Sequence, residues 1–235
     1  VEFSQKFSLL NYLFKLSGLI IKVNMKYLTA ICFLMISHSA LAQLEKRLDS
    51  VLNNSIQPGE PGIALYIETN GKTIYNKGYG LTDTDRKKSI NSKTNFRLAS
   101  VSKQFTAMCI LLLEKDQKLS LDDPISKFFP ELPVELSRKI LLRHLITHTS
   151  GILDYEEIMD NSGSKQLLDI DVLNILKTQH KTYFNPGDEF RYSNSAYALL
   201  ALIVERVSGQ SFPEFMKERV FKPLKMKNSL VYESE

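Results

Sequence analysis

The segment Phe96-Arg97-Leu98-Ala99-Ser100-Val101-Ser102-Lys103-Gln104-Phe105-Thr106 carries the strongest signal in this 235-residue chain. It enters an apolar stretch that predicts a helix over 101–118. The middle of that helix, 107–113, is apolar on every side, which predicts burial all round. Ser100 and Lys103 are three residues apart and so share one helical face, where the lysine amine can reach the serine hydroxyl.

This position suits nucleophilic catalysis. Free backbone N–H groups and a partial positive charge at a helix N-terminus favour the anion that forms when a hydroxyl attacks a carbonyl. A hydroxyl needs a base, and a lysine can serve if burial or a nearby cation lowers its pKa. The structural alternative is that Ser100 caps the helix and Lys103 is solvated. A second Ser-x-x-Lys, at 162–165, lies in a polar stretch with no apolar helix behind it.

A second candidate element is Tyr192-Ser193-Asn194, just before an apolar helix predicted over 195–207. In an extended segment, residues two apart point to the same side, so Tyr192 and Asn194 would share a face. A tyrosine near Lys103 can relay a proton, and an amide can hydrogen-bond a substrate amide or carbonyl. The structural alternative for Tyr192 is a buried aromatic ring with a satisfied hydroxyl.

The rest of the chain predicts a mixture of strands and helices. Strand-like runs at 62–68 and 72–79 flank Asn70-Gly71, a strong hairpin signal. Further helices are predicted by apolar spacing or polar helical composition, and Ser211-Phe212-Pro213-Glu214 is a capping box that opens another. The other predicted helices cover 44–54, 140–148 and 165–177.

Three segments together resemble the serine β-lactamase-related family: class C β-lactamases, penicillin-binding proteins, D-alanyl-D-alanine carboxypeptidases and related esterases. They are the Ser100 segment, Arg143-His144-Leu145-Ile146-Thr147-His148-Thr149-Ser150-Gly151, and Phe190-Arg191-Tyr192-Ser193-Asn194-Ser195. The similarity runs from about Glu45 to Asn228. It implies an α/β (α+β) fold of the β-lactamase/transpeptidase type, with an antiparallel sheet flanked by helices and an all-helical subdomain.

The resemblance implies a role for each matching residue. Ser100 would form the acyl-enzyme, and its backbone N–H would supply half of the oxyanion hole. Lys103 and Tyr192 would share the proton transfers, with the identity of the base left open, and Asn194 would bind the substrate. No metal or organic cofactor is implied. His144 and His148 have zinc-like spacing but lack a third ligand, and we interpret both as packing or capping residues.

The sequence departs from the family at its C-terminal end. Neither Lys-Thr-Gly nor His-x-Gly occurs in 195–235, and the family's last sheet strands have no counterpart. We therefore expect a C-terminally truncated member with an open sheet edge, poor stability and little activity.

Two functions follow. One is a serine hydrolase acting on a β-lactam, a D-Ala-D-Ala-type peptide or a small ester. The other is a weakly active or inactive binding module for cell-wall peptides or acyl ligands.

The domain organisation predicted is an upstream translated segment (1–24), a signal peptide (25–42) and the hydrolase domain (43–235). A short apolar core after Lys26, followed by Ala40-Leu41-Ala42, is typical of a cleaved signal and predicts a secreted or periplasmic protein, with membrane contact only through that segment. The net charge is +4, of which the first 42 residues carry +3, so nothing favours a nucleic-acid partner. Cys109, the one cysteine after the signal, is interpreted as a small core residue. Oligomeric state stays open.

Overall fold

The computed structural model describes residues 15, 27, 42–57, 59–83, 88–159 and 167–233. The chain divides into two units, Val1–Thr94 and Asn95–Glu235. The predicted upstream segment and signal peptide lie outside the described residues, apart from Lys15, Tyr27 and Ala42. No helix among the described residues combines the length and the apolar character needed to cross a bilayer.

The first unit contains a helix, α1 (42–55), and a two-stranded antiparallel sheet within its described residues. Strands β1 (Ile63–Thr69) and β2 (Lys72–Tyr79) pair in the register Ile63↔Tyr79, with an irregularity after Ile67. The turn residues Asn70 and Gly71 have φ values of 48° and 73°. Both residues of a type I′ turn need positive φ, and Asn-Gly meets that need at low cost. The predicted hairpin is confirmed.

A polar cluster joins α1 to β2 inside this unit. Asp49 of α1 accepts a hydrogen bond of 2.5 Å from Oη of Tyr75 and one of 2.8 Å from Nζ of Lys77. The Tyr79 hydroxyl donates to the same carboxylate. The Lys77 and tyrosine hydrogen bonds hold the pKa of Asp49 well below its usual range. The ring of Tyr75 is only 2% exposed, so its hydroxyl needs this partner.

The second unit is built from helices. Its α-helices are α2 (Lys103–Lys115), α3 (Val134–Ser137), α4 (Leu142–Ile146), α5 (Tyr155–Ile158), α6 (Asp169–Leu176), α7 (Asn194–Ser208) and α8 (Phe212–Met216). Two 3-10 turns, Ala99–Ser102 and Ile125–Lys127, and a π-turn, Lys217–Phe221, complete it.

Helix α7 forms the centre of this unit and packs against α2, α4, α6 and α8. Apolar residues occupy most sides of α7, and most of its length is buried. Leu199, Leu200 and Ile203 are at 0% exposure. Ser193 caps its N-terminus through a hydrogen bond from N of Ala196. Gly209, with φ of 71°, ends it in the left-handed region that glycine adopts most easily.

The prediction that α2 is buried on every side is partly wrong. Cys109, Ile110 and Leu113 are buried as expected, but Met108 and Leu111 are 46% and 42% exposed. The buried face packs on α7, α8 and the π-turn. An apolar sequence shows which faces of a helix can be buried. Whether a face is buried depends on which elements of the fold pack beside it.

Several boundaries also differ from prediction. The helix predicted over 101–118 is a 3-10 turn followed by α2, and it ends at Lys115, just before Gln117 adopts a φ of 58°. The helices predicted over 140–148 and 165–177 are shortened to α4 and α6. The capping box at Ser211 and Glu214 is confirmed at the start of α8.

Candidate active site

Ser100 lies in the 3-10 turn that leads into α2, one residue after a strained position. Ala99 has a φ of 46°, in the left-handed region that residues with a side chain rarely adopt. Oγ of Ser102 donates a hydrogen bond of 2.6 Å to the carbonyl oxygen of Ala99 and so supports this turn. The structural alternative, in which Ser100 caps the helix, does not hold: Ser100 lies inside the 3-10 turn Ala99–Ser102, Ser102 is the N-cap residue of α2, and Ser100 is exposed.

The hydroxyl of Ser100 has two polar partners. Nζ of Lys103 lies 3.3 Å from Oγ of Ser100, the contact expected from residues three apart on a helix. Oη of Tyr192 donates to the same Oγ at 2.5 Å, although 92 residues separate the two in sequence. The structure therefore brings the three sequence-predicted residues Ser100, Lys103 and Tyr192 into one hydrogen-bonded group.

Asn194 joins this group through Lys103. Its Oδ1 accepts a hydrogen bond of 2.8 Å from Nζ of Lys103. The same ammonium lies 4.9 Å from the ring centroid of Tyr192 and 5.5 Å from that of Tyr197, within range of cation–π attraction. Lys103 therefore has a hydroxyl, an amide oxygen and two aromatic faces around it, and all four candidate residues form one cluster.

A buried carboxylate positions Asn194. Asp154 is 6% exposed, and its Oδ2 accepts a hydrogen bond of 2.5 Å from N of Asn194. Its Oδ1 accepts another, of 3.1 Å, from N of Glu156 and so caps α5. Oγ of Ser195 accepts a hydrogen bond of 2.8 Å from N of Tyr155 in return. The N-termini of α5 and α7 are thus bound to each other, which fixes the first residue of α7 beside Lys103.

A second carboxylate holds the extended segment before α7. Glu157 accepts hydrogen bonds of 2.9 and 3.0 Å from the Arg191 guanidinium and one of 2.5 Å from Oη of Tyr183. The guanidinium carbon lies 3.8 Å from the ring centroid of Tyr183. The Tyr183 hydrogen bond, followed by that of Arg191, lowers the pKa of Glu157. Asp154 and Glu157 carry no sequence motif of their own, and sequence analysis missed them.

The two histidines of the Arg143–Gly151 segment have different surroundings. Nδ1 of His144 accepts a hydrogen bond of 3.2 Å from N of Leu141 at the start of α4. The ring of His148 stacks on that of Tyr192, with centroids 4.6 Å apart, beside the candidate site. Burial is the main cause that lowers the pKa of each. Across the described residues, no group of three or more His, Cys, Asp or Glu side chains is arranged to hold a metal.

Cys109 lies in the core of the second unit. It is 0% exposed, and its Sγ is 3.9 Å from Sδ of Met216. Burial raises the pKa of its thiol to about 12, so the thiol stays protonated at neutral pH. This environment matches the inert packing role expected for Cys109 and gives it no part in the cluster around Ser100.

Comparison with known proteins identifies the family. The family model described as Beta-lactamase matches residues 41–235, which contain the whole Ser100 cluster. The chain belongs to the beta-lactamase family. Among relatives of this beta-lactamase-family chain, "Penicillin-binding protein 4*" of Bacillus subtilis is 33% identical over 165 residues, which are 69% of this chain and 36% of that protein.

Two solved structures are similar in fold. "EstCE1, a hydrolase with promiscuous acyltransferase activity" is 32% identical with a TM-score of 0.66, over 79% of this chain and 52% of that one. The D-amino acid amidase of Ochrobactrum anthropi, solved with L-phenylalanine amide, is 28% identical with a TM-score of 0.65, over the same shares. The β-lactamase/transpeptidase-like fold is therefore confirmed. The chain spans between about a third and about a half of the length of these relatives.

Proposed function

We propose that this chain carries the nucleophile and the proton-transfer groups of a serine hydrolase, with Ser100 forming an acyl-enzyme. The observation that supports it most is the pair of contacts at Oγ of Ser100, 2.5 Å to Oη of Tyr192 and 3.3 Å to Nζ of Lys103. In the structure both groups donate to Oγ, and either can take the Ser100 proton once it has given up its own, which activates the hydroxyl for attack.

The proposed reaction has two stages. Oγ of Ser100 attacks the substrate carbonyl carbon while its proton passes to Oη of Tyr192 or Nζ of Lys103. The tetrahedral intermediate collapses, the bond to the leaving group breaks, and the leaving group takes up that proton. Water then attacks the Ser100 ester, and Tyr192 or Lys103 takes a proton from the water and passes it to Oγ of Ser100. This step releases the acid and restores the serine hydroxyl. The backbone N–H of Ser100 would donate to the developing oxyanion.

Lys103 has a role in this scheme whether Tyr192 or Lys103 itself is the base. If Tyr192 is the base, it acts as the phenolate, and the amine of Lys103 lies 4.9 Å from the centroid of its ring. If Lys103 is the base, Tyr192 passes the proton onward to the leaving group. Oδ1 of Asn194 faces Lys103, so its Nδ2 is the atom that can donate to a substrate carbonyl.

The proposed substrates are β-lactams, D-Ala-D-Ala-type peptides, and small esters or amides. Each presents a carbonyl carbon with a leaving group, which is what the Ser100 chemistry requires. The names of the relatives, a penicillin-binding protein, a hydrolase with acyltransferase activity and a D-amino acid amidase, support this range.

We further propose that residues 25–42 direct export to the periplasm or the outside of the cell, which fractionation of cells expressing the full chain would test.

Covalent labelling of the full chain tests the proposal. We expect a fluorophosphonate probe and a labelled penicillin each to add one mass increment that maps to Ser100 and disappears in Ser100→Ala. Ser162→Ala, in the chain's other Ser-x-x-Lys sequence, is the matched control and should label normally. An adduct that survives in Ser100→Ala would refute the proposal. Reversible penicillin binding without an adduct would favour the binding-module alternative.

A further inference from the structure

His148 contacts three consecutive residues of the segment that carries the phenol. Its carbonyl oxygen accepts a hydrogen bond of 2.9 Å from N of Arg191, and its Nδ1 accepts one of 3.1 Å from N of Ser193. Its ring stacks on the Tyr192 ring at 4.6 Å between centroids and 28° between planes. One residue therefore fixes the backbone on both sides of Tyr192 and also the plane of its ring.

We propose that His148 is a positioning residue that holds Oη of Tyr192 against Ser100, and that only its neutral, Nε2-protonated form does so. The inference rests on the proposed function, because it gives His148 a role in the reaction at Ser100. An imidazole nitrogen accepts a hydrogen bond only while it carries no proton. Protonation of Nδ1 would set two donors, Nδ1–H and the Ser193 N–H, against each other, and the contact would be lost.

The surroundings of His148 favour its neutral form. Lys103 faces it from α2, Tyr197 from α7 at 5.1 Å between ring centroids, and Phe190 from the extended segment at 6.0 Å. Burial and then the Lys103 charge lower the pKa of His148, while the Asp154 carboxylate opposes them. The stabilisation that His148 supplies is therefore present above its ordinary value of 6.5 and is lost as pH falls through the lowered pKa.

The backbone at His148 decides which substitutions are informative. Its φ is 57°, a conformation that asparagine tolerates better than most residues. In His148→Asn the side-chain Oδ1 can accept the hydrogen bond from Ser193, but the stacked ring and the titrating proton are gone. In His148→Phe a ring remains to stack on Tyr192, but the acceptor is gone. Because asparagine suits this backbone conformation, we expect His148→Asn to fold even if His148→Phe does not.

The experiment measures the rate of fluorophosphonate labelling of Ser100 in the full chain from about pH 5 to about pH 8. Misplacing a reacting group by about 1 Å can cost about a hundredfold in rate, and we expect both His148 variants to label about tenfold to a hundredfold more slowly at neutral pH. Below neutral pH, the labelling rate should fall less steeply with pH in both variants than in the wild type. The reason is that the variants lack the His148 imidazole and the one proton that it binds. His180→Asn, at a side chain that is 70% exposed, is the control and should keep the wild-type profile.

A second readout is independent of activity. Long-range ¹H–¹⁵N spectra of the full chain should show His148 protonated at Nε2, with a pKa below 6.5 that rises in Lys103→Met. Variants that label as fast as the wild type with the same profile, or that slow labelling equally at every pH, would overturn the inference and leave Ser100 as the nucleophile. Absence of any Ser100 adduct in the wild type would instead overturn the proposed function and this role of His148 with it.

Discussion

Nζ of Lys103 donates a hydrogen bond of 2.8 Å to Oδ1 of Asn194, across 91 residues of sequence. The contact joins the first residue of α2 to the first residue of α7. Because the same amine also lies 3.3 Å from Oγ of Ser100, one side chain orients both the candidate nucleophile and the candidate substrate-binding amide. Its removal would leave both without that partner.

We expect Lys103→Met to slow the acylation of Ser100 by about 10²–10⁴-fold, the usual effect of losing a group that transfers or polarises a proton. The rate is measured from the growth of the fluorophosphonate adduct by mass spectrometry. Lys115→Met, at the exposed last residue of the same helix, is the control. Equal rates in the two variants would exclude Lys103 from the chemistry.

Tyr192→Phe should also lower the acylation rate by about 10²-fold or more, because it deletes the hydroxyl that lies 2.5 Å from Oγ of Ser100. The ring that stacks on His148 remains, and the Tyr192 side chain is 42% exposed, so the thermal midpoint should hardly change. Labelling kinetics and a melting curve are measured on the same sample. Tyr232→Phe, at a ring that is 64% exposed, should change neither measurement. If Tyr192→Phe reacts as fast as the wild type, the proton transfer would be assigned to Lys103 alone.

Asp154→Ala should destabilise the second unit by about 1–3 kcal/mol, since two backbone N–H groups, of Asn194 and Glu156, would lose their acceptor. The change is measured as the difference in free energy of unfolding in urea. Acylation should slow as well, because α7 would begin in a less defined position. Glu189→Ala, at an exposed carboxylate, is the control. Unchanged stability in Asp154→Ala would show that water replaces the carboxylate without cost.

Glu157→Gln should reveal a pH-dependent contribution to stability. The Tyr183 and Arg191 contacts lower the pKa of Glu157 below its ordinary value of 4.5, so the stabilisation is present above that value and is lost as pH falls through the lowered pKa. The thermal midpoint of Glu157→Gln should therefore lie below that of the wild type at neutral pH, and the two should converge in acid. A constant difference at every pH would show that the carboxylate charge is unimportant.

Features encoded by neighbouring residues could be predicted from the sequence. The positive φ values of Asn70 and Gly71 follow from turn chemistry alone, and the capping box at Ser211 needs only the glutamate three residues later. The reach of Lys103 to Ser100 follows from helical periodicity. Tyr192 and Asn194 could be placed beside them only through the resemblance of three ordered segments to a known family.

Features that depend on distant residues could not be predicted. Asp154 and Asn194 are 40 residues apart, and Glu157 and Arg191 are 34 apart. Asp154 caps α5 and Glu157 lies within it, but nothing in the sequence around α5 predicts the distant residue that either carboxylate binds. The sequence favours a packing or capping role for His148, but it does not predict that the His148 ring stacks on the Tyr192 ring, because the two residues lie far apart in the chain.

The sequence by itself determined the local chemistry: a serine and a lysine on one helical face, a tyrosine and an asparagine two residues apart at the start of an apolar helix, and the family that these segments resemble. Only the tertiary structure decided that Oη of Tyr192 lies 2.5 Å from Oγ of Ser100 and that His148 and Asp154 hold the residues that bring it there. The reason is physical. Hydrogen-bond geometry within a turn is fixed by backbone periodicity, whereas the contacts of α2 and of α5 with α7 depend on how these helices pack together.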